Sequence, residues 1–189
     1  MISVEEALDL VLQTGFPLLE TETLYINQCL YRCLANDIQA PINLPQFRES
    51  SMDGFAVKKS SLGKIKRFKI LGDMPAGAKT DFAIKPSECV RVYTGSRMPK
   101  NADFVVIQEN TETKQSFMLV KDFDKKNPYV RKAGLDFRKG QIISHQKLID
   151  YRLISTLASL NLEKLSVLKK PKVCIIPTGN EILALGSKP

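Results

Sequence analysis

Four short polar segments of the chain contain residue types that could bind phosphate or a divalent metal. Each places an acid, an arginine or a hydroxyl near a glycine: 50–54, 94–96, 131–136 and 178–181. Glycine lets backbone N–H groups approach a ligand closely, and successive N–H groups with hydroxyls can surround an oxyanion. The carboxylates of Asp53, Asp136 and Glu181 are oxygen ligands of the kind that Mg²⁺ prefers. Together the segments predict a site that handles phosphate or nucleotide.

The same segments are also ordinary turn sequences. Asp-Gly and Thr-Gly pairs are common in turns, so their spacing alone leaves a turn and a ligand contact both open. None of the four matches a P-loop or a dinucleotide-binding fingerprint. His145 is the single histidine of the chain, so a hydrolase-type Ser/His or Cys/His pair has one candidate and no further support.

Charge is distributed unevenly along the 189 residues. The formal net charge is +8, with −6 carried by residues 1–57 and +14 by residues 58–189. A basic surface attracts anions such as phosphates, nucleotides or nucleic acid. For any one cluster, such as 64–69 or 125–126, a solvated surface is the favoured interpretation. The chain has no Trp, which disfavours a binder of single-stranded nucleic acid.

The N-terminal and C-terminal parts contain the helical patterns that would support such a site. Ser3 and Glu6 form a capping-box pair before an apolar helical repeat, which predicts a helix over 4–14. Further patterns predict a strand at 24–26, a second helix from Asn27 to about Ala35, a third helix over 150–160 capped by Asp150, and a strand at 164–168. Cys29 and Cys33 would lie four apart on the second helix, where packing is favoured over zinc binding.

The middle of the chain has short β-rich runs separated by Gly and Pro. This punctuation predicts a small antiparallel, barrel-like β domain. The predicted strands are 55–57, 67–71, 88–93, 103–108, 116–120, 129–130 and 141–143.

The apolar run at 172–177 is typical of a buried parallel strand, with Cys174 in the core. Such a strand needs neighbours that the chain does not contain, so we expect it to begin a truncated α/β domain. No apolar run approaches the 18 residues of a membrane span, and the acidic N-terminus does not resemble a secretory signal. Four scattered cysteines do not suggest a disulfide framework. We therefore expect a cytoplasmic protein.

The order of the polar segments resembles a known family. The sequence 45–57, PQFRESSMDGFAV, is similar to the P-F-x-x-S-A/S-M-D-G-Y/F-A-V signature of the molybdopterin molybdenumtransferases, the family of MoeA and the gephyrin E domain. The blocks 90–109, 130–136 and 171–182 resemble three further motifs of that family, in family order. Leu135, Asn101 and Asn180 depart from the usual residues.

The resemblance implies a reaction and a set of site residues. Adenylylated molybdopterin would be hydrolysed at its pyrophosphate bond with Mg²⁺, molybdate would be placed on the dithiolene, and AMP would leave. By this analogy the catalytic candidates are Asp53, Thr94, Arg131, Asp136 and Glu181, and the candidates for cofactor binding are Ser51, Gly95, Ser96, Thr178 and Gly179. Asp53, Asp136 and Glu181 are the candidates for holding metal or water, Thr94 for hydrogen bonding and Arg131 for contacting an anion.

The resemblance also implies a multidomain α+β architecture. Residues 1–44 and 141–170 would form an α/β stalk for dimerisation, 45–140 an inserted β-rich domain, and 171–189 the first strand of a truncated α/β pterin-binding domain. The parent would be a homodimer with a molybdopterin adenylyltransferase as upstream partner, without nucleic acid or membrane partners. Because the site would be shared with missing domains, we expect this fragment alone to be inactive or nearly so. The alternatives are a non-enzymatic interaction and dimerisation module, or a basic nucleic-acid binder.

Overall fold

The computed structural model describes residues 2–15, 20–145, 148–179, 181–183 and 185–187. It is a mixed α+β structure of two helices and twelve strands among these residues, with a curled, half-barrel sheet as its largest element. The helices are α1 (Val4–Gln13) and α2 (Tyr151–Ser159). The strands are β1 (Thr21–Tyr25), β2 (Ile38–Gln39), β3 (Glu49–Ser50), β4 (Gly54–Val57), β5 (Arg67–Met74), β6 (Glu88–Val92), β7 (Phe104–Ile107), β8 (Thr111–Lys114), β9 (Phe117–Val120), β10 (Val130–Arg131), β11 (Ile142–Ser144) and β12 (Lys164–Leu168).

The chain divides into two compact units. One comprises Met1–Asn36, Gln146–Ile154 and Glu163–Pro189, and the other comprises Asp37–His145 and Ser155–Leu162. The first contains the antiparallel pair β1–β12, and the second, here called the β unit, contains the six-stranded sheet. The predicted boundaries of stalk, inserted domain and pterin domain remain predictions.

Two of the three predicted helices, those at 4–14 and 150–160, are confirmed. The Ser3 hydroxyl accepts a hydrogen bond from the Glu6 backbone N–H at 3.1 Å, and the Glu6 carboxylate accepts one from the Ser3 N–H at 2.8 Å. Asp150 caps α2 by accepting from the Leu153 N–H at 2.8 Å. The capping residues therefore define both helix starts, as the local sequence indicates.

The predicted second helix is wrong. Only a 3-10 turn forms, at Ile26–Gln28, and Tyr31 takes a positive φ of 58° that interrupts helical geometry. Leu34 is instead fully buried and forms an isolated β-bridge with Val167. Cys29 is buried and Cys33 is exposed, so they do not share a packed helical face.

The six-stranded sheet has the order β7-β4-β6-β5-β9-β8. Its neighbours are antiparallel except for β5 and β6, which are parallel, so the prediction of a wholly antiparallel domain is wrong at this pair. β4 is buried throughout because both faces of the sheet carry apolar clusters. Ala56, Val90 and Val105 belong to one cluster, and Phe55, Phe68 and Phe104 to the other.

The predicted buried strand at 172–177 does not form. Residues 171–179 contain no strand, and Val173, Cys174, Ile175 and Ile176 are exposed. A parallel strand buried on both faces needs strands beside it and layers above and below, and the described residues provide none there. The predicted core position of Cys174 is therefore also wrong.

Candidate functional site

Asp53 lies in the turn between β3 and β4, where its carboxylate contacts the turn after β6. Its Oδ1 accepts a hydrogen bond from the Thr94 N–H at 2.8 Å and another from the Thr94 hydroxyl at 3.1 Å. The Asp53 carbonyl accepts from the Gln108 N–H at 3.0 Å. The structure thus brings together two of the predicted catalytic residues.

The turn at 93–96 is held by its own hydrogen bonds and by β3. The Ser96 N–H donates to the Tyr93 carbonyl at 2.8 Å, and the Ser96 hydroxyl accepts from the Tyr93 N–H at 2.9 Å. Gly95 adopts a φ of +82°, which a residue with a side chain rarely takes, and its N–H donates to the Ser50 carbonyl at 2.9 Å. Ser96 is fully buried, so its hydroxyl stabilises the turn.

Ser51 binds the segment 50–53 to the chain on its other side, next to β10. Its N–H donates to the Tyr129 carbonyl at 3.0 Å, and its side chain is half-buried. The backbone of 50–53 is therefore held between the 93–96 turn and the strand that leads to Arg131.

A second cluster surrounds Arg131. Its Nη2 donates to both oxygens of Asp136, at 3.0 and 2.8 Å, and its Nη1 donates to Oε1 of Glu49 at 2.9 Å. Arg131 and Glu49 are directly opposite each other in the antiparallel pair of β10 and β3. The Arg131–Asp136 pair was predicted as two site residues, whereas Glu49 was missed.

The Arg131 cluster opens onto a cavity of about 330 Å³. Its apolar wall is formed by Leu44, Pro45 and Phe47, and its polar wall includes Glu49, Arg131 and Asp136. Because Glu49 and Asp53 lie on one short segment, the cavity and the Asp53–Thr94 pair share a support. A larger cavity of about 530 Å³ is lined by Arg67, Lys114, Gln115 and Leu119, a set without a carboxylate.

Tyr93 is a further polar residue beside Thr94 that sequence reasoning missed. Its hydroxyl donates to Oδ2 of Asp73 at 3.1 Å, and the Arg91 guanidinium lies 5.4 Å from its ring centre. The pKa of the Tyr93 phenol is raised, mainly by desolvation and secondly by the hydrogen bond to Asp73. Its adjacency to Thr94 in the sequence is the signal that could have identified it.

The third group of predicted residues lies in the other compact unit. Thr178, Gly179 and Glu181 are exposed and belong to no strand, whereas Asp53 and Arg131 belong to the β unit. Asn180, part of the same motif, lies outside the described residues. The grouping of Glu181 with Asp53 remains a prediction.

Asp53 and Asp136 differ in their fitness as magnesium ligands. Both hydrogen bonds to Asp53 go to Oδ1, so Oδ2 has no hydrogen-bond partner among the described residues, whereas both oxygens of Asp136 contact Arg131. Within the described part of the chain, no three His, Cys, Asp or Glu side chains converge. Mg²⁺ commonly uses one or two protein carboxylates together with water and substrate phosphates. Asp53 therefore fits such a ligand, and Asp136 does not while it is paired.

Comparison with known proteins places this chain in one family. The family model "MoeA N-terminal region (domain I and II)" matches residues 2–161, and the chain belongs to this family. The chain is 31% identical to a Haemophilus influenzae molybdopterin molybdenumtransferase, over 98% of this chain and 46% of that protein. It is 33% identical to the protein of the same name from Bacillus subtilis, over 87% of this chain and 40% of that protein.

Solved structures agree with this assignment. A molybdopterin biosynthesis MoeA protein from Pyrococcus horikosii superposes with a TM-score of 0.87 at 30% identity, covering 100% of this chain and 49% of that chain. The chain spans less than half the length of these relatives. Among the helices of the described residues, neither is long and apolar enough to cross a membrane.

Proposed function

We propose that this chain is the N-terminal part of a molybdopterin molybdenumtransferase that acts in molybdenum cofactor biosynthesis. One observation carries the proposal: in a chain of this family, the single segment 49–53 contributes a residue to each of two polar clusters. Asp53 meets Thr94 at one end of the segment, and Glu49 meets Arg131 at the other. Relatives named molybdopterin molybdenumtransferase match nearly the whole chain.

The proposed substrates are adenylylated molybdopterin and molybdate. Water cleaves the pyrophosphate bond and AMP leaves, while the two dithiolene sulfurs of the pterin displace one oxygen of molybdate, which leaves as water with the thiol protons. Mg²⁺, when bound, offsets the negative charge of the phosphates, and Asp53 is the described residue best suited to hold it. Thr94 orients the Asp53 carboxylate, and Arg131 provides the cation for an anionic group of the substrate.

Asp136 and Glu181 complete the proposed site. Asp136 balances Arg131 until substrate arrives, and Glu181 is assigned to metal or water by family analogy. Ser51, Gly95 and Ser96 maintain the backbone around Asp53, while Thr178 and Gly179 are proposed to contact the pterin nucleotide.

The proposed assembly is a cytoplasmic homodimer that receives its substrate from a molybdopterin adenylyltransferase. The apolar side chains of α1, including Val4, Leu8 and Val11, are exposed, which supports a second copy packing there. Light scattering tests this part: a dimer has twice the chain mass of 21.2 kDa, and a strict monomer contradicts it.

AMP release from adenylylated molybdopterin, with Mg²⁺ and molybdate, tests the activity. We expect release by a chain of the relatives' full length and little or none by the 189-residue chain. Release by neither contradicts the proposed reaction. Release by the short chain contradicts only the proposed need for further domains.

A further inference from the structure

Glu49 and Asp136 hold Arg131 in different ways. Glu49 lies opposite Arg131 in the β3–β10 register. On the other side of its strand, the backbone of Glu49 forms an isolated β-bridge with Arg97. Asp136 reaches Arg131 from the turn that follows β10, five residues further along the chain. The Glu49 contact therefore runs between residues that face each other on two paired strands, while the Asp136 contact comes from a turn.

Exposure separates the two carboxylates as well. The Glu49 side chain is 15% exposed, against 42% for Asp136 and 39% for Arg131. Glu49 occupies Nη1 alone, and Asp136 places both oxygens on the single nitrogen Nη2. This is not the two-nitrogen fork in which arginine and a carboxylate bind most strongly. Asp136 is thus the more exposed partner, and neither carboxylate forms the fork.

Charge explains why one partner must leave when an anion binds. Two carboxylates around one guanidinium give a net charge of −1, which repels a phosphate. An anion in the 330 Å³ cavity can take the place of a carboxylate on Nη1 or Nη2 of Arg131 only when that carboxylate withdraws. The exposed Asp136 carboxylate can move into water, whereas the Glu49 carboxylate is only 15% exposed and lies on a strand whose backbone is paired on both sides.

We infer that Glu49 is a positioning residue that fixes one end of the Arg131 guanidinium, so that a phosphate-type anion displaces Asp136 and not Glu49. The inference rests on the proposed function, because the pyrophosphate bond of the substrate is the anion it concerns. With Nη1 held by Glu49, Nη2 faces Asp136, which is the partner that the anion replaces. Glu49 thereby prevents Arg131 from turning to form a complete fork with Asp136.

The direct test is carboxyl ¹³C NMR of the 189-residue chain during titration with inorganic pyrophosphate, and separately with molybdate. We expect the Asp136 carboxyl resonance to shift with pyrophosphate while that of Glu49 stays in place. Equal shifts of both, or no shift of either, overturn the inference. A shift with molybdate alone overturns the assignment to a phosphate-type anion.

Variants separate positioning from charge. Asp136→Asn removes the competing carboxylate, so pyrophosphate should bind about fivefold more tightly, as expected for one exposed charge contact. Glu49→Gln lets the guanidinium turn toward Asp136, so binding should weaken by roughly the same factor even though a negative charge has been removed. If Glu49 contributed only charge, Glu49→Gln would tighten binding as Asp136→Asn does, and the inference would fail.

Glu112→Gln is the matched control. Glu112 is an exposed carboxylate that pairs with Lys114 at 3.0 Å on β8, and its loss should leave pyrophosphate affinity unchanged. Circular dichroism confirms that each variant is folded, and the wild-type titration needs no variant. AMP release by the full-length chain is measured separately, so a failed positioning role and a failed reaction give different results.

Discussion

Thr94 donates two hydrogen bonds, from its backbone N–H and from its hydroxyl, to the same carboxylate oxygen of Asp53. This arrangement orients the carboxylate with Oδ1 toward the 93–96 turn and leaves Oδ2 for another partner. It also joins the turn between β3 and β4 to the 93–96 turn after β6, across 41 residues of sequence. The pair therefore serves both the stability of the β unit and the geometry of the proposed site.

Thr94→Val should retain the backbone contact and lose the hydroxyl contact. The expected cost is about 1 kcal/mol in the free energy of unfolding, as for one hydrogen bond. Asp53→Ala removes the acceptor of both bonds and should cost about 2 kcal/mol while the chain stays folded. In the full-length protein, Asp53→Ala should reduce AMP release by about 100-fold or more.

Urea denaturation and the AMP assay measure these effects. Thr111→Val is the control, because its hydroxyl donates to the Gln108 carbonyl at 2.8 Å without an acidic partner. It should cost no more stability than Thr94→Val and leave AMP release unchanged. Near-normal turnover of Asp53→Ala would remove Asp53 from the site.

Gly54→Ala should severely destabilise the β unit. Gly54 lies on the buried strand β4, between β6 and β7. A Cβ atom there would be 2.1 Å from the Val106 carbonyl oxygen. Because backbone cannot move aside cheaply, we expect a loss of more than about 3 kcal/mol, or failure to fold.

Gly77→Ala provides the comparison for Gly54→Ala. It has open space around the Cβ position but a φ of +79°, so only backbone strain of about 1 kcal/mol is expected. Thermal unfolding of both variants measures the difference. Equal stability of the two variants would show that β4 and β7 are not packed as described.

Local signals predicted the parts of the fold that local contacts determine. The capping box of Ser3 and Glu6 and the Asp150 cap appear where expected, since each contact spans three residues. The pattern at 27–35 was misread because Leu34 is buried by a bridge to Val167, more than 130 residues away. A helical spacing of apolar residues cannot reveal such a partner.

The candidate site shows the same division. Asp53, Thr94, Arg131 and Asp136 are candidates because their short polar segments resemble family motifs, and the structure forms two pairs from them. Glu49 was overlooked because its contact with Arg131 depends on a strand register that joins residues 82 apart. Its place in the polar segment that carries Asp53 was the available sequence signal.

Ser3→Ala should loosen the start of α1. The Ser3 hydroxyl satisfies the Glu6 N–H, and its loss costs about 1 kcal/mol in typical helices. Hydrogen exchange of the first-turn amides should accelerate by about fivefold, since that factor corresponds to this free energy. Ser3→Asp retains a capping oxygen and should restore protection, whereas equal exchange in Ser3→Ala and wild type would show that the cap has no role.

The four cysteines should separate into two reactive and two protected thiols. Cys89 is fully buried in the sheet, and burial raises the pKa of its thiol to about 12. Burial also raises the pKa of Cys29, whereas Cys33 and Cys174 are exposed. Because the thiolate is the reactive form, iodoacetamide at pH 8 should modify Cys33 and Cys174 at least about 100-fold faster than Cys89.

Intact-mass spectrometry should show two adducts on the folded chain and four after denaturation in urea, which is the control for accessibility. Peptide mapping then assigns the adducts. Rapid modification of Cys89 without denaturant would mean that the sheet opens around β6. Protection of Cys174 would mean that the segment 171–179 is covered in solution, for instance by a second copy of the chain, and light scattering of the same sample would identify that state.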